Sequence, residues 1–451
     1  MRNMSSLQLS RRSLLAAMGA VGAGAALSSC GAPGGGGMKQ ADMDIPDDYK
    51  KRTPVLFWSP WTATSHAAIK KMCDDFNKSQ EDIFVGTESQ TDYATLNQKL
   101  SAALQAKAVP DIVCFPEMQW LQFYFNDVFI ALDDHFTDDW NLDIFVQAYV
   151  EEGKAAGKTY LVPFARSTPL FYFNRDVYAK AGLPAEGPKT WDDLAEYGPE
   201  IAKIKASGKP MRSFAFGADD AWYGQAQIWA WGGNNSVDYD ITIDEQPGVD
   251  WLEWTRKFIH EDKFGYMAKS AGTDFTTGLA AGCHGSTASL TDRTTTAKFD
   301  VGVAYMLGQE KEETQVPTGG SGLAVVKSGD QERQDAAIEF CKYLAKPEVS
   351  AYWHTATGYV PIVLEAQKLP AVTDLVKKDP NYGVALDQLA NAQTADRINW
   401  FQGAVTDIGA AMAQVYGDNT PAEKALASIT PNLEKVMEEN KEDIEKILAA
   451  S

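Results

Sequence analysis

Apolar positions along the chain recur with two periods, and the two alternate. Val55-Leu56-Phe57-Trp58 is a short continuous apolar run of the kind a buried strand needs. Ile69, Met72, Cys73 and Phe76 then fall at i, i+3, i+4 and i+7, one face of a helix. Ile83-Phe84-Val85 predicts a second strand, Leu96, Leu100 and Leu104 a second helix, and Asp111-Ile-Val-Cys-Phe115 a third strand. This alternation predicts an α/β lobe with a mainly parallel sheet. Ligands in such sheets bind beyond the carboxyl ends of strands. Trp58, Ser59 and Trp61, and Pro116 and Glu117, are thereby placed at a candidate cleft. Farther on, a proline-interrupted extended stretch follows Tyr160. Thr190 with Asp193 three residues later predicts a capped helix start. Trp222 to Trp231 is aromatic-rich and runs into a Gly-Gly-Asn-Asn loop. Ala337, Phe340, Cys341 and Leu344 predict a helix that stops before Pro347, and Leu433, Val436, Met437, Ile444 and Leu448 a C-terminal one.

The first thirty residues follow a different pattern. Ser10-Arg-Arg-Ser13 precedes an apolar stretch, Leu14 to Leu27, of 14 residues, whereas a membrane-spanning helix needs about 20. It reads as a twin-arginine signal peptide over residues 1–29. Leu27-Ser-Ser-Cys30 has the form of a lipobox, with Cys30 the residue that is diacylated and becomes the new N-terminus; two acyl chains anchor stably where one does not. A glycine run after Cys30 makes residues 30–52 a flexible tether. No other apolar run approaches membrane length, so the remainder is expected to be soluble.

About 400 residues exceed one core and predict two lobes. The formal charge is −20; the signal peptide carries three arginines and no acid, which leaves the mature chain near −23. Such an excess argues against nucleic-acid binding, which wants a basic face, but leaves room for a local cationic pocket. Cys73, Cys114, Cys283 and Cys341 have no CxxC spacing, which argues against a zinc site and for buried apolar roles.

Catalytic signatures are missing: no HExxH, no Walker A loop, no GxGxxG after a strand and no GxSxG elbow. Cys283-His284 are adjacent, and adjacent side chains point apart. Asp133-Asp134 and Asp138-Asp139 are acidic doublets of a solvated turn. A secreted hydrolase remains open only because paired carboxylates leave no sequence signature. No metal and no cofactor are expected. The chain is instead rich in aromatics, with 12 Trp and 17 Tyr, whose faces suit sugars or quaternary ammonium groups.

Several segments resemble the extracellular solute-binding proteins of ABC importers, the maltose-binding-like class, and within it the glycerol-3-phosphate and glycerophosphodiester binders. They are the helix start at Tyr93, Glu117 after its strand, Pro163-Phe-Ala-Arg-Ser-Thr-Pro-Leu-Phe-Tyr-Phe-Asn174, Thr318-Gly-Gly-Ser-Gly and Trp353-His-Thr-Ala-Thr-Gly-Tyr-Val-Pro361. The resemblance implies a non-enzymatic, two-lobed fold of the type II periplasmic-binding-protein kind, with three inter-lobe crossings. The N-lobe would comprise residues 53–165 and 299–321, and the C-lobe residues 166–298 and 322–451. It implies a monomer that captures a small molecule and hands it to an ABC permease. Arg397, Tyr359, Ser167, Ser289 and the Gly320 N–H would hold a phosphate, Tyr93 and Glu117 the glycerol hydroxyls, and Trp222 the cleft wall. By themselves, the residues also allow Glu117 as a helix cap, Arg397 as a surface ion pair, and Ser167 and Ser289 as turn residues. Where the binders carry a second tryptophan three residues after the first, this chain has Gln225, expected to open the pocket toward a glycerophosphodiester such as glycerophosphocholine. Arg166 is an additional cation, and Trp58 and Trp61 are further cleft-lining candidates. An oligosaccharide is the alternative ligand.

Overall fold

The computed structural model describes residues 38–217, 220–309 and 314–448, without the side chains of Glu117 and Met118. The signal peptide, Cys30 and the glycine run fall outside the described residues.

Ten strands form two sheets: β1 (Thr53–Ser59), β2 (Ile83–Ser89), β3 (Ile112–Pro116), β4 (Val162–Ser167), β5 (Pro169–Asn174), β6 (Phe214–Gly217), β7 (Gly265–Ala268), β8 (Gly282–Ser286), β9 (Val301–Ala304) and β10 (Gly319–Val325). The N-lobe sheet has the order β2-β1-β3-β10-β4, the C-lobe sheet β7-β6-β8-β5-β9. β1 pairs parallel with β2 and β3, whereas β10 is antiparallel to both β3 and β4. In the C-lobe, β6 runs parallel to β7 and β8, and β5 is antiparallel to β8 and β9. The sheets are thus mixed rather than mainly parallel. The physical reason is the crossing: β5 and β10 are the strands the chain enters from the other lobe, so each starts at the cleft and runs away from it. Only Thr168 separates β4 from β5.

Helices close both faces, so central strands are apolar without alternation. In β1, Val55 to Ser59 are all buried. Helix α1 (Ala63–Ser79) buries Ile69, Met72, Cys73 and Phe76, as their spacing predicted, and α2 (Tyr93–Ala106) buries Leu96 and Leu100. Helix α3 (Trp191–Ala202) starts with the expected capping box between Thr190 and Asp193. The C-lobe core also takes α4 (Ala221–Ala230), α7 (Gln402–Asp418) and α8 (Thr430–Leu448). Helices α5 (Gln331–Leu344) and α6 (Pro347–Thr357) pack on the N-lobe with α1 and β1.

Two expected boundaries change. The resemblance implies that residues 299–321 belong to the N-lobe, but β9 belongs to the C-lobe sheet, and the chain rejoins the N-lobe only with β10. Residues 322–451 were assigned to the C-lobe, yet Ala336 to Val372 furnish much of the N-lobe core before the chain crosses again. An apolar helix face reports that a core exists but not which of two cores it joins. Cys73, Cys114, Cys283 and Cys341 are buried free thiols.

Candidate ligand-binding cleft

The crossings bring the first group of candidate residues together. Ser167 ends β4 opposite Gly319, and Arg166 lies opposite Gly320. Gly320 has φ +83°, and a Cβ there would collide with the Ala165 carbonyl, so the backbone can approach β4 only as glycine. From the C-lobe, Trp222 at the start of α4 reaches across and donates its indole N–H to the Thr318 carbonyl at 3.1 Å. Its ring covers Gly319, where a Cβ would collide with it and lie 3.1 Å from Ser167 Oγ. Thr168 receives the backbone N–H of Thr287 at 2.9 Å, which fixes the turn Thr287–Ser289 beside the same crossing.

The Trp353–Pro361 segment is a device for presenting Tyr359. Helix α6 ends at Gly358, φ +91°, where a Cβ would come within 2.7 Å of the Thr287 carbonyl. Thr357 Oγ donates to the Trp353 carbonyl at 2.6 Å and accepts from Tyr359 N at 3.2 Å. His354 Nδ1 meets the Tyr359 carbonyl at 2.7 Å, an oxygen that can only accept, so Nδ1 carries the hydrogen. Trp353 stacks on the Tyr359 ring at 5.4 Å, and Trp61 donates its indole N–H to the phenol oxygen at 3.0 Å. Val360 N then bonds the Arg166 carbonyl at 3.0 Å, tying this loop to β4.

Tyr93, Glu117 and Arg397 lie on segments joined by a ladder of amides. Asn97, one turn after Tyr93 in α2, donates to Gln119 at 3.4 Å, and Gln119 donates to Gln402 of α7 at 2.7 Å. Tyr93 is the first residue of α2, whose cap is Asp92. Glu117 opens the turn Glu117–Trp120 at the carboxyl end of β3; its side chain is outside the described residues. Arg397 opens the turn Arg397–Trp400 and pairs with Asp238 at 3.1 Å, a carboxylate 75% exposed. It also lies over the Tyr239 ring at 5.3 Å. Ser289 precedes the helix Leu290–Thr296 without capping it through its side chain.

All four of the further cleft-lining candidates, Arg166, Gln225, Trp58 and Trp61, are buried instead. Arg166 is 1% exposed, and its guanidinium pairs with the equally buried Glu152 while lying 4.6 Å from the Tyr149 ring. The other Glu152 oxygen takes the Thr318 hydroxyl. The charge of Arg166 is therefore met inside the protein and is not an additional cation for a ligand. Gln225 is wholly buried and hydrogen-bonded to Asp396, Asn235 and Asn399, so it does not open the pocket. Trp58 packs among Leu96, Leu100 and Phe115 in the N-lobe core. Trp61 is buried as well and serves Tyr359 rather than open space. Glu152 and Asp396 are isolated polar residues with no motif around them, and Thr318 is legible only as the start of its glycine segment; folding alone reveals their partners.

Cys283 and His284 alternate across β8 as adjacent strand residues must. Arg293 Nη1 lies 3.2 Å from the Cys283 sulfur, while His284 sits among Trp191, Phe214, Phe216 and Tyr223. Burial pushes the Cys283 thiol up to about 11, opposite to what a nucleophile needs, and His284 down to about 3. Among the described residues no helix is long and apolar enough to cross a membrane, and no group of three or more His, Cys, Asp or Glu is placed to hold a metal ion.

Comparison with known proteins places this geometry. Residues 71–384 match the family model described as bacterial extracellular solute-binding protein. The sn-glycerol-3-phosphate-binding periplasmic protein UgpB of Yersinia pestis is 27% identical over 360 residues, 75% of this chain and 81% of that protein. Its counterpart from Pectobacterium atrosepticum is 28% identical over 364 residues, 75% of this chain and 80% of that protein. Among solved structures, UgpB from Mycobacterium tuberculosis in complex with glycerophosphocholine has a TM-score of 0.81 and 30% identity, covering 86% of this chain and 99% of that one. Maltose-bound MalE3 of T. maritima, at TM-score 0.73 and 20% identity over 85% of this chain and 99% of its own, shares the fold. The family match over most of the chain establishes that it belongs to the bacterial extracellular solute-binding proteins of ABC importers, and the likeness to MalE3 shows that it shares the two-lobed maltose-binding-type fold.

Proposed function

We propose that this protein is the lipid-anchored capture subunit of an importer for glycerol-3-phosphate or a glycerophosphodiester such as glycerophosphocholine. Cys30 carries the anchor, and the lobes close on the ligand by hinge motion and deliver it to an ABC permease. The observation that carries the ligand reading is the state of Arg397. Buried carboxylates hold Arg166 and Arg333, whereas Arg397 has an exposed partner, Asp238. An exposed pair is worth about 0–1 kcal/mol, so a phosphate can take the place of Asp238 on a planar, bidentate guanidinium. The UgpB relatives support the same reading, as does the glycerophosphocholine complex of the structure at 30% identity. In this reading Ser167, Ser289, Tyr359 and the Gly320 N–H supply neutral donors to the phosphate. Tyr93 and Glu117 accept and orient the glycerol hydroxyls, Trp222 walls the cleft, and the chain makes or breaks no covalent bond in its ligand.

Titration calorimetry with glycerol-3-phosphate, glycerophosphocholine and maltotriose tests it. Heat with a phosphate ligand, abolished in Arg397→Ala, is expected; heat with the trisaccharide alone overturns the reading in favour of an oligosaccharide importer. For the anchor, Cys30→Ala is expected to move the protein from the membrane fraction to the soluble fraction. Unchanged membrane retention would rule the lipid out.

A further inference from the structure

We propose that Gln225 and Asp396 form a positioning pair that aims Arg397 at the ligand, an inference that rests on the reading of Arg397 as the anion-binding residue. Asp396 directly precedes Arg397. Its Oδ2 accepts hydrogen bonds from Gln225 Nε2 at 2.9 Å, Asn235 N at 2.6 Å and Ser236 N at 3.4 Å, and its Oδ1 from Trp229 Nε1 at 3.3 Å. Gln225 in turn accepts from Asn399 Nδ2 at 2.8 Å, Asn235 Nδ2 at 3.0 Å and Asp396 N at 3.3 Å. On the other flank, Ile398 N donates to Ser236 Oγ at 3.2 Å. Residues 396, 398 and 399 are thus fastened to α4 and the loop that follows it. Residue 397 is left projecting to the exposed Asp238.

The chemistry at position 225 is specific. A single buried side chain must donate to a carboxylate and accept from three N–H groups at once. A primary amide does both, whereas an indole has a donor only and a hydrocarbon has neither. The four donors to Asp396 are all neutral, so a partly buried carboxylate is held by dipoles rather than by the adjacent cation, and Arg397 pairs instead with the exposed Asp238. Burial raises the Asp396 carboxyl above its ordinary range, and the hydrogen bonds from Gln225, Asn235, Ser236 and Trp229 oppose that. Because Trp222 stands on the same helix one turn earlier, the pair also sets the distance between the wall that covers Gly319 and the cation. Departure from tryptophan at 225 is therefore a change from a packing wall to a hydrogen-bonded brace.

The test exchanges the two chemistries. Glycerophosphocholine and glycerol-3-phosphate are titrated into the wild type, Gln225→Glu, Asp396→Asn, the double variant and Arg397→Ala, with melting temperatures measured in parallel. Gln225→Glu faces one carboxylate with another and is expected to weaken binding about tenfold or more. The double variant reverses donor and acceptor across this one bond, but the amide that Asp396→Asn introduces then turns its nitrogen toward the Asn235 and Ser236 N–H groups from which Asp396 Oδ2 accepts, so it is expected to bind no better than Gln225→Glu. A misplaced Arg397 contributes less Coulomb attraction, so the salt dependence of binding is expected to flatten in Gln225→Glu, an effect that a general loss of stability does not produce. Wild-type affinity in Gln225→Glu, or in the double variant, overturns the inference. Should Gln225→Glu not fold, Asp396→Asn decides alone: about threefold or more weaker binding is expected, and unchanged affinity overturns it. Arg397→Ala separates the two levels. If it binds as the wild type, the phosphate reading itself fails; if it loses the ligand while Gln225→Glu does not, only the positioning role fails.

Discussion

Arg166 and Glu152 show what a buried charge demands of its surroundings. Both are 1% exposed and pair directly, the Thr318 hydroxyl donates to Glu152, and the Arg166 guanidinium lies over the Tyr149 ring. Removing one partner of such a pair costs about 3–5 kcal/mol, because the other charge stays buried without compensation. Glu152→Gln is therefore expected to lower the unfolding free energy by about that amount in urea titrations, and the apolar double replacement Glu152→Leu with Arg166→Met to recover most of it. A loss below about 1 kcal/mol in the single variant would mean that Arg166 finds another partner. His284 and His354 set a pH dependence. Burial lowers them to about 3 and about 4, so above the unfolded-state value near 6.5 they cost nothing. As pH falls below about 6.5 the unfolded chain takes up protons that the native state refuses, and stability declines toward those folded values. Asp111 and Asp396, raised by burial, bias the opposite way where carboxylates titrate. His284→Phe, which keeps the ring among Trp191, Phe214 and Tyr223, is expected to reduce the slope of melting temperature against pH between 6.5 and 4. An unchanged slope would show that the His284 ring is not kept neutral.

At the scale of elements, the ends of helices carry the site. Helix α3 illustrates the ordinary case: Thr190 Oγ accepts from Asp193 N at 3.0 Å while Asp193 returns a bond to Thr190 N at 3.0 Å. Thr190→Ala is expected to cost about 1 kcal/mol in denaturant unfolding. Helix α6 illustrates the functional case. Its left-handed Gly358 lies against the Thr287 carbonyl and turns the chain so that Tyr359 faces Trp61. Gly358→Ala meets both a φ of +91° and the Thr287 carbonyl, so it is expected to displace Tyr359 and weaken ligand binding about tenfold or more. Calorimetry beside a thermal melt distinguishes this from a loss of fold.

For the whole molecule, the contacts that matter join the lobes. Trp222 over Gly319 and its bond to Thr318 link α4 to β10, and Gln119 to Gln402 links the turn after β3 to α7. A ligand that binds only the closed arrangement stabilises it by about 2.7 kcal/mol at a hundredfold excess over Kd. Gly319→Ala puts a methyl under the Trp222 ring and is expected to hold the lobes apart. The radius of gyration measured by small-angle scattering with saturating glycerophosphocholine should then exceed that of the liganded wild type. Equal radii would show that Trp222 accommodates the methyl without opening the cleft.

Local pattern decided a great deal here. The strands at Val55, Ile83 and Asp111, the helix faces of α1, α2 and α5 and the cap at Thr190 were legible because backbone periodicity and capping act over a few residues. The Trp353–Pro361 segment was legible only through its resemblance to the family, although its glycine, threonine and histidine bonds are mostly internal to it. Strand direction in β5 and β10, the return of residues 336–372 to the N-lobe, and the burial of Arg166 and Gln225 were not. Each depends on a partner far away in the chain: Glu152 and Thr318 for Arg166, Asp396 and Asn399 for Gln225. Whether a polar side chain faces a ligand or another side chain is a matter of desolvation and geometry in three dimensions, and the tertiary structure alone decided it.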